Sequence, residues 1–126
     1  MTKSAIRTAR APQPAGPYSQ GIIANGFLYT AGLGPQDPDT GGVSDSVADQ
    51  TRQVLRNVSA VLAEHGLALD DCVKTTVHLA DLADFTEFNG AYEEFFTEPY
   101  PVRTTVGSQL ANILVEIDVV AALPAD

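Results

Sequence analysis

The sequence predicts an α+β fold: a mainly antiparallel sheet with two helices on one of its faces. Three observations carry that expectation. Two stretches repeat their apolar residues at helical spacing, and several shorter stretches run or alternate as strands. At 126 residues the chain is long enough for one core and too short for a second. A single domain over residues 1–126 is expected.

Residues 3–9 supply a first strand. Residues 10–21 carry too much Pro and Gly for a helix or an inner strand and read as an extended loop. Ile22-Ile23-Ala24 and Phe27-Leu28-Tyr29-Thr30 then flank Asn25-Gly26, a dipeptide that readily supplies the two positive φ angles of a type I′ turn. Residues 35–42 form the next turn-rich loop.

From about Ser44 to His65, Val47, Thr51, Val54, Leu55, Val58, Val61 and Leu62 recur at three- and four-residue steps, predicting one amphipathic helix. Ser44 or Ser46 can cap its start, and Gly66 suits a left-handed stop. Cys72 to Ala80 alternates as a strand, with Val73, Thr75, Val77 and Leu79 on one face and Lys74, Thr76 and His78 on the other. A second helix is expected from about Asp84 to Thr97, its stripe of Phe85, Phe88, Tyr92, Phe95 and Phe96 reading as core. Pro99 and Pro101 end it. Strands at about 102–107 and 113–122 close the chain as an expected antiparallel pair.

Sixteen acidic against seven basic side chains give a formal charge of −9, which opposes nucleic acid, because phosphate binding rests on clustered Lys and Arg. No apolar run approaches the ~18 residues of a membrane span. A lone Cys72 cannot form an internal disulfide, and the N-terminus lacks the apolar core of a secretory signal; the expectation is a cytoplasmic protein.

Several patterns suggest chemistry and fail on context. Asp39-Thr40-Gly41 has the aspartic protease triplet but follows a Pro-rich turn in place of a buried strand. Asp37, Asp39 and Gly41 open like a calcium loop, yet its twelfth position is Ala48, not a bidentate Glu. His65 and His78 have no Cys or carboxylate at metal-ligand spacing, so no zinc or iron site is expected. Asp70 and Asp71 beside Cys72 would raise its pKa and blunt it as a nucleophile.

The last two strands hold the pair of interest. Ile113, Val115, Ile117, Val119 and Ala121 make an apolar face for the helices, leaving Leu114, Glu116, Asp118 and Val120 uncovered. With Val102, Thr104 and Val106 on the helix side, Arg103 and Thr105 would turn the same way as Glu116. The plain reading is a cross-strand ion pair worth under ~1 kcal/mol if exposed. The functional reading gives Arg103 a substrate carboxylate and Glu116 a water. A half-apolar uncovered face also argues for association with further copies.

Gly16-Pro17-Tyr18-Ser19-Gln20-Gly21, Ala31-Gly32, Asn89-x-x-Tyr92-x-x-Phe95-Phe96, Pro101-Val102-Arg103-Thr104-Thr105 and Val115-Glu116-Ile117-Asp118 together resemble the YjgF/RidA family over almost the whole chain. The resemblance implies a chorismate-mutase-like fold, a homotrimer with a central barrel, and clefts between subunits. It also implies hydrolysis of reactive enamines and imines such as 2-aminoacrylate and 2-iminobutyrate to 2-keto acids and ammonia, without cofactor. Carried over, Arg103 clamps the carboxylate and Glu116 orients or activates water. Tyr18 and Asn89 line the cleft, while Gly32 and the backbone N–H of Thr105 approach the ligand, with Ala31 beside them. Ala31 replaces a common Ser, Thr105 replaces a Cys, and the link from Arg103 to Glu116 is about two residues shorter than the family pattern and lacks its usual Leu-Pro. The rival reading is a trimeric module that binds 2-keto acids, or acts like a chaperone, without chemistry. A ribonuclease activity like that attached to some relatives conflicts with the charge.

Overall fold

A computed structural model describes residues 2–125, so both ends of the expected domain lie outside the described residues. Six strands form one sheet against two helices. In chain order they are β1 (Ser4–Ile6), β2 (Gly21–Ala24), β3 (Phe27–Thr30), α1 (Val47–Ala63), β4 (Cys72–Leu79), α2 (Phe85–Tyr92), β5 (Val102–Gly107) and β6 (Val115–Ala122). Across the sheet the order is β1-β2-β3-β6-β4-β5. The first strand is shorter than the 3–9 expected from sequence.

Local chemistry sets the boundaries. Asn25 and Gly26 take φ of 53° and 84°, so β2 and β3 join through the expected positive-φ turn. Of the two serines offered as caps, Ser46 does the work: its Oγ accepts the Asp49 N–H at 3.0 Å. Ser44 instead accepts a bond from Gln50 through its carbonyl. Gly66, at φ 71°, ends the helix, and the Leu67 N–H returns to the Leu62 carbonyl at 3.0 Å. In the loop after β3, Asp37 Oδ1 accepts the N–H groups of Asp39 and Thr40, so this carboxylate serves a turn.

The core lies between the sheet and the helices. Val54, Leu55, Val58, Val61 and Leu62 of α1 and Phe88 of α2 bury against Leu28, Val77, Leu79, Val115, Ile117, Val119 and Ala121. Two expectations on these elements need correction. A register shift between Cys72 and Lys74 turns Val73 out of the core, leaving it exposed. The second helix stops at Tyr92, well short of Thr97, because the chain passes into turns such as Phe95 N–H to the Tyr92 carbonyl at 3.0 Å. Phe96 still reaches the core and stacks on Tyr92 with ring centroids 4.5 Å apart.

The larger correction concerns β5 and β6, which do not pair. β4 lies between them, antiparallel to β6 and parallel to β5. The cause is visible at both ends of the link: the Ser108 N–H bonds the Leu79 carbonyl at 2.9 Å, and the Ala80 N–H bonds the Leu114 carbonyl at 3.0 Å. The link thus crosses over the end of β4 instead of turning back as a hairpin. Arg103 stands opposite Thr75 and Thr105 opposite Val77, both on the helix face. Glu116 stands opposite His78 on the open face. Arg103 and Glu116 therefore point to opposite sides of the sheet, and neither the expected ion pair nor a site shared within one chain forms. Val102, Thr104 and Val106, expected toward the helices, face the open side with Phe27 and Tyr29.

Candidate functional site: two separate clefts

α2 and β5 build the first cleft. The stripe that reads as core in the sequence also forms a wall for a cation: Arg103 Cζ lies 4.8 Å from the Tyr92 ring centroid, 5.4 Å from Phe88 and 5.6 Å from Phe85. Beneath it, the Tyr92 hydroxyl and Thr75 Oγ1 share a hydrogen bond of 2.9 Å inside the core. Burial pushes the Tyr92 phenol up, against the opposing effects of the Thr75 bond and the Arg103 charge. The phenol thus stays neutral at ordinary pH and leaves the guanidinium charge uncancelled. Asn89, one helical turn before Tyr92, lines the same cleft of about 390 Å³ with Glu93, Tyr100 and Pro101. Among the described residues no carboxylate pairs with Arg103, Glu93 included. Thr105 lies two residues on, half-buried on the same face of an edge strand.

β6 and the loops around it build the second cleft, of about 300 Å³, which collects Tyr18, Ala31, Gly32 and Glu116. Leu33 and Ile117 exchange backbone bonds of 2.9 and 3.1 Å, pinning the loop after β3 to β6. The fit leaves no room for a side chain at residue 32: a Cβ there would stand 2.6 Å from Glu116 Oε2. Tyr18 is fixed locally, its hydroxyl accepting the Ala15 N–H at 3.0 Å and its N–H donating to the Gly16 carbonyl at 2.8 Å.

Two buried amides that the sequence reading passed over hold these loops. Gln20 accepts the Thr8 N–H at 2.8 Å and donates to the Thr8 and Pro12 carbonyls at 3.0 and 2.9 Å. Asn57 donates to the Gly34 and Gln36 carbonyls, both at 2.9 Å. The signal for Asn57 was its helical spacing from Val54 and Val61, which puts an amide on the buried face.

His78 was weighed in the sequence only as a metal ligand. Its Nδ1 lies 2.9 Å from Ser108 Oγ and its Nε2 lies 3.6 Å from Asp118 Oδ2. No group of three or more metal-ligating side chains occurs among the described residues. Burial first, then Asp71, pushes the Cys72 thiol up to about 12, so it is no nucleophile at neutral pH. No helix among the described residues is long and apolar enough to cross a membrane.

Comparison with known proteins places this geometry. The family profile described as Endoribonuclease L-PSP matches residues 8–123. A RutC family protein of Pyrococcus horikoshii is 47% identical, covering 94% of this chain and 97% of its own. A 2-iminobutanoate/2-iminopropanoate deaminase of Salmonella typhimurium is 41% identical, covering 96% and 98%. Among solved structures, the YjgF gene product of E. coli superimposes with a TM-score of 0.88 at 40% identity, covering 94% of this chain and 98% of that one. E. coli TdcF with bound serine gives 0.90 at 36%, covering 96% and 99%. The chain belongs to the Endoribonuclease L-PSP family, the YjgF/RidA family of the sequence resemblance. Imine deaminases are among its members.

Proposed function

We propose that this protein hydrolyses small reactive 2-imino acids and their enamine tautomers to 2-keto acids and ammonia. One observation carries the reading: in a chain of net charge −9, Arg103 is held against three aromatic rings at the mouth of a cleft and has no carboxylate partner among the described residues. A cation kept in that state is suited to an anion brought from outside. The bound serine of E. coli TdcF carries a carboxylate, the group that such a cleft would take.

The chemistry is modest. An enamine takes a proton from solvent at its terminal carbon to become the iminium ion, the protonated imine, whose C=N carbon is electrophilic. Water adds to that carbon as Glu116 accepts its proton. Glu116 returns that proton to nitrogen, and as the C–N bond breaks and ammonia leaves, the hydroxyl gives up its own proton to solvent and becomes the carbonyl. Holding the anion and placing one water are the main tasks left to the protein, and neither calls for a metal or an organic cofactor.

Because Arg103 and Glu116 face opposite sides of one sheet, the working site is the Arg103 cleft of one copy set against the Glu116 cleft of the next. A homotrimer closing a barrel with its open sheet faces inward would satisfy this three times over. It would also cover Phe27, Tyr29, Val102 and Val106, which are 37, 42, 67 and 36% exposed in the single chain.

The test adds purified protein to a dehydratase that generates 2-aminoacrylate and follows keto acid release against trapping by semicarbazide. Wild type should speed release, and Arg103→Ala should lower kcat/KM by about a hundredfold or more. No acceleration by wild type would remove the reading.

A further inference from the structure

Arg103 leaves β5 at the edge of the sheet, on the helix face and opposite Thr75. The rings around it all come from α2, where Phe85, Phe88 and Tyr92 stand three and four residues apart on one side of the helix. The guanidinium carbon lies 5.6, 5.4 and 4.8 Å from their centroids in turn. Each ring attracts a cation without cancelling its charge, which a carboxylate partner would do.

The three rings are anchored unequally. Phe88 is fully buried, and Tyr92 is tied to Thr75 inside the core by the 2.9 Å bond between their hydroxyls. Phe85 opens the helix, is 40% exposed and does not belong to the core. Its place beside the guanidinium needs another reason than packing.

The carboxylates of the same helix and its end supply one. Glu87 accepts the Ala48 N–H at 3.0 Å and Glu94 pairs with Arg52 at 2.8 Å, so both are committed to α1. Glu93 makes no ion pair among the described residues, yet it lines the same cleft as Arg103 and is the only acidic side chain in that lining. An arginine on an edge strand, free to change rotamer, would fold onto that carboxylate and lose its hold on any anion from outside.

We propose that Phe85 is a positioning residue: with Phe88 and Tyr92 it cages the Arg103 guanidinium away from Glu93 and keeps the cation open to a substrate carboxylate. This rests on the role given to Arg103 above, and the test separates the two. Binding of 2-oxobutyrate, a 2-keto acid, is followed by calorimetry on the full chain, which needs no turnover. Arg103→Ala should abolish it. Phe85→Leu keeps apolar bulk but removes the ring, and should raise Kd about threefold to fivefold. Phe85→Tyr, which restores a ring, should bind like wild type.

The decisive variant is Glu93→Gln. Added to Phe85→Leu it should bring Kd back to within about twofold of wild type, whereas alone it should change Kd by less than about twofold. A ring that only filled space or steadied the helix would give equal gains in the two backgrounds. In the imine assay Phe85→Leu should raise KM by the same factor at constant kcat. If the binding results hold while wild type releases no keto acid, the deaminase reading falls and the cage stands. Equal gains from Glu93→Gln in both backgrounds, a loss confined to kcat, or no 2-oxobutyrate binding that depends on Arg103 would overturn the proposal.

Discussion

Gly32 has no side chain because Glu116 occupies the space that one would need, with Oε2 2.6 Å and Cδ 2.8 Å from a built Cβ. Gly32→Ala should therefore push the carboxylate aside while sparing the fold, since the displaced atoms are the mobile end of a side chain. A misplacement of about 1 Å can cost ~100-fold in rate, so kcat should fall by that order with the thermal midpoint little changed. Unchanged kcat would show that the carboxylate is not held by this contact. At the same scale, Arg103 and Glu116 stood out first through strand alternation, and Tyr18, Gly32 and Asn89 through sequence strings. The strings named the residues but carried no information on which cleft each would enter. His78, Gln20 and Asn57 were less legible, because one polar residue on a strand, loop or helix looks ordinary until its partners are known.

Among the elements, those whose ends are fixed by local chemistry were the readable ones. Asn25-Gly26 set the hairpin, and Ser46 and Gly66 set α1. β5 was different. Its Val-x-Thr-x-Val alternation correctly signalled a strand, but alternation cannot say which face is core, and on this edge strand the branched face is the open one. The aromatic stripe outlasted α2 for a related reason: Phe96 stacks on Tyr92 from outside the helix, so the apolar spacing continues where the helical hydrogen bonds do not. That stripe ties the Arg103 cleft to the core through the Tyr92–Thr75 hydrogen bond. Tyr92→Phe leaves the buried Thr75 hydroxyl without its partner and should cost about 1–2 kcal/mol in urea unfolding. Adding Thr75→Val removes both partners and should recover most of that loss. Purely additive losses would mean the bond contributes little.

For the molecule as a whole, the single chain carries two clefts on opposite sides of one sheet, together with an open face that retains large apolar side chains. The sequence showed what β6 gives that face, Glu116, Asp118 and Val120, but put the residues of β5 on the wrong sides and missed the strand order, which depends on a link passing over the end of β4. No local pattern encodes that crossing. An account in which neighbouring copies complete the site makes a demand on subunits that a self-sufficient chain does not. Arg103→Ala and Glu116→Gln proteins should each be inactive in the imine hydrolysis assay. Co-assembled at equal amounts, they should recover about a quarter of wild-type activity, because that is the chance that one interface joins an intact Arg103 to an intact Glu116. Mixed assemblies that form, as shown by two purification tags on one particle, yet stay as inactive as the separate variants would contradict the shared site.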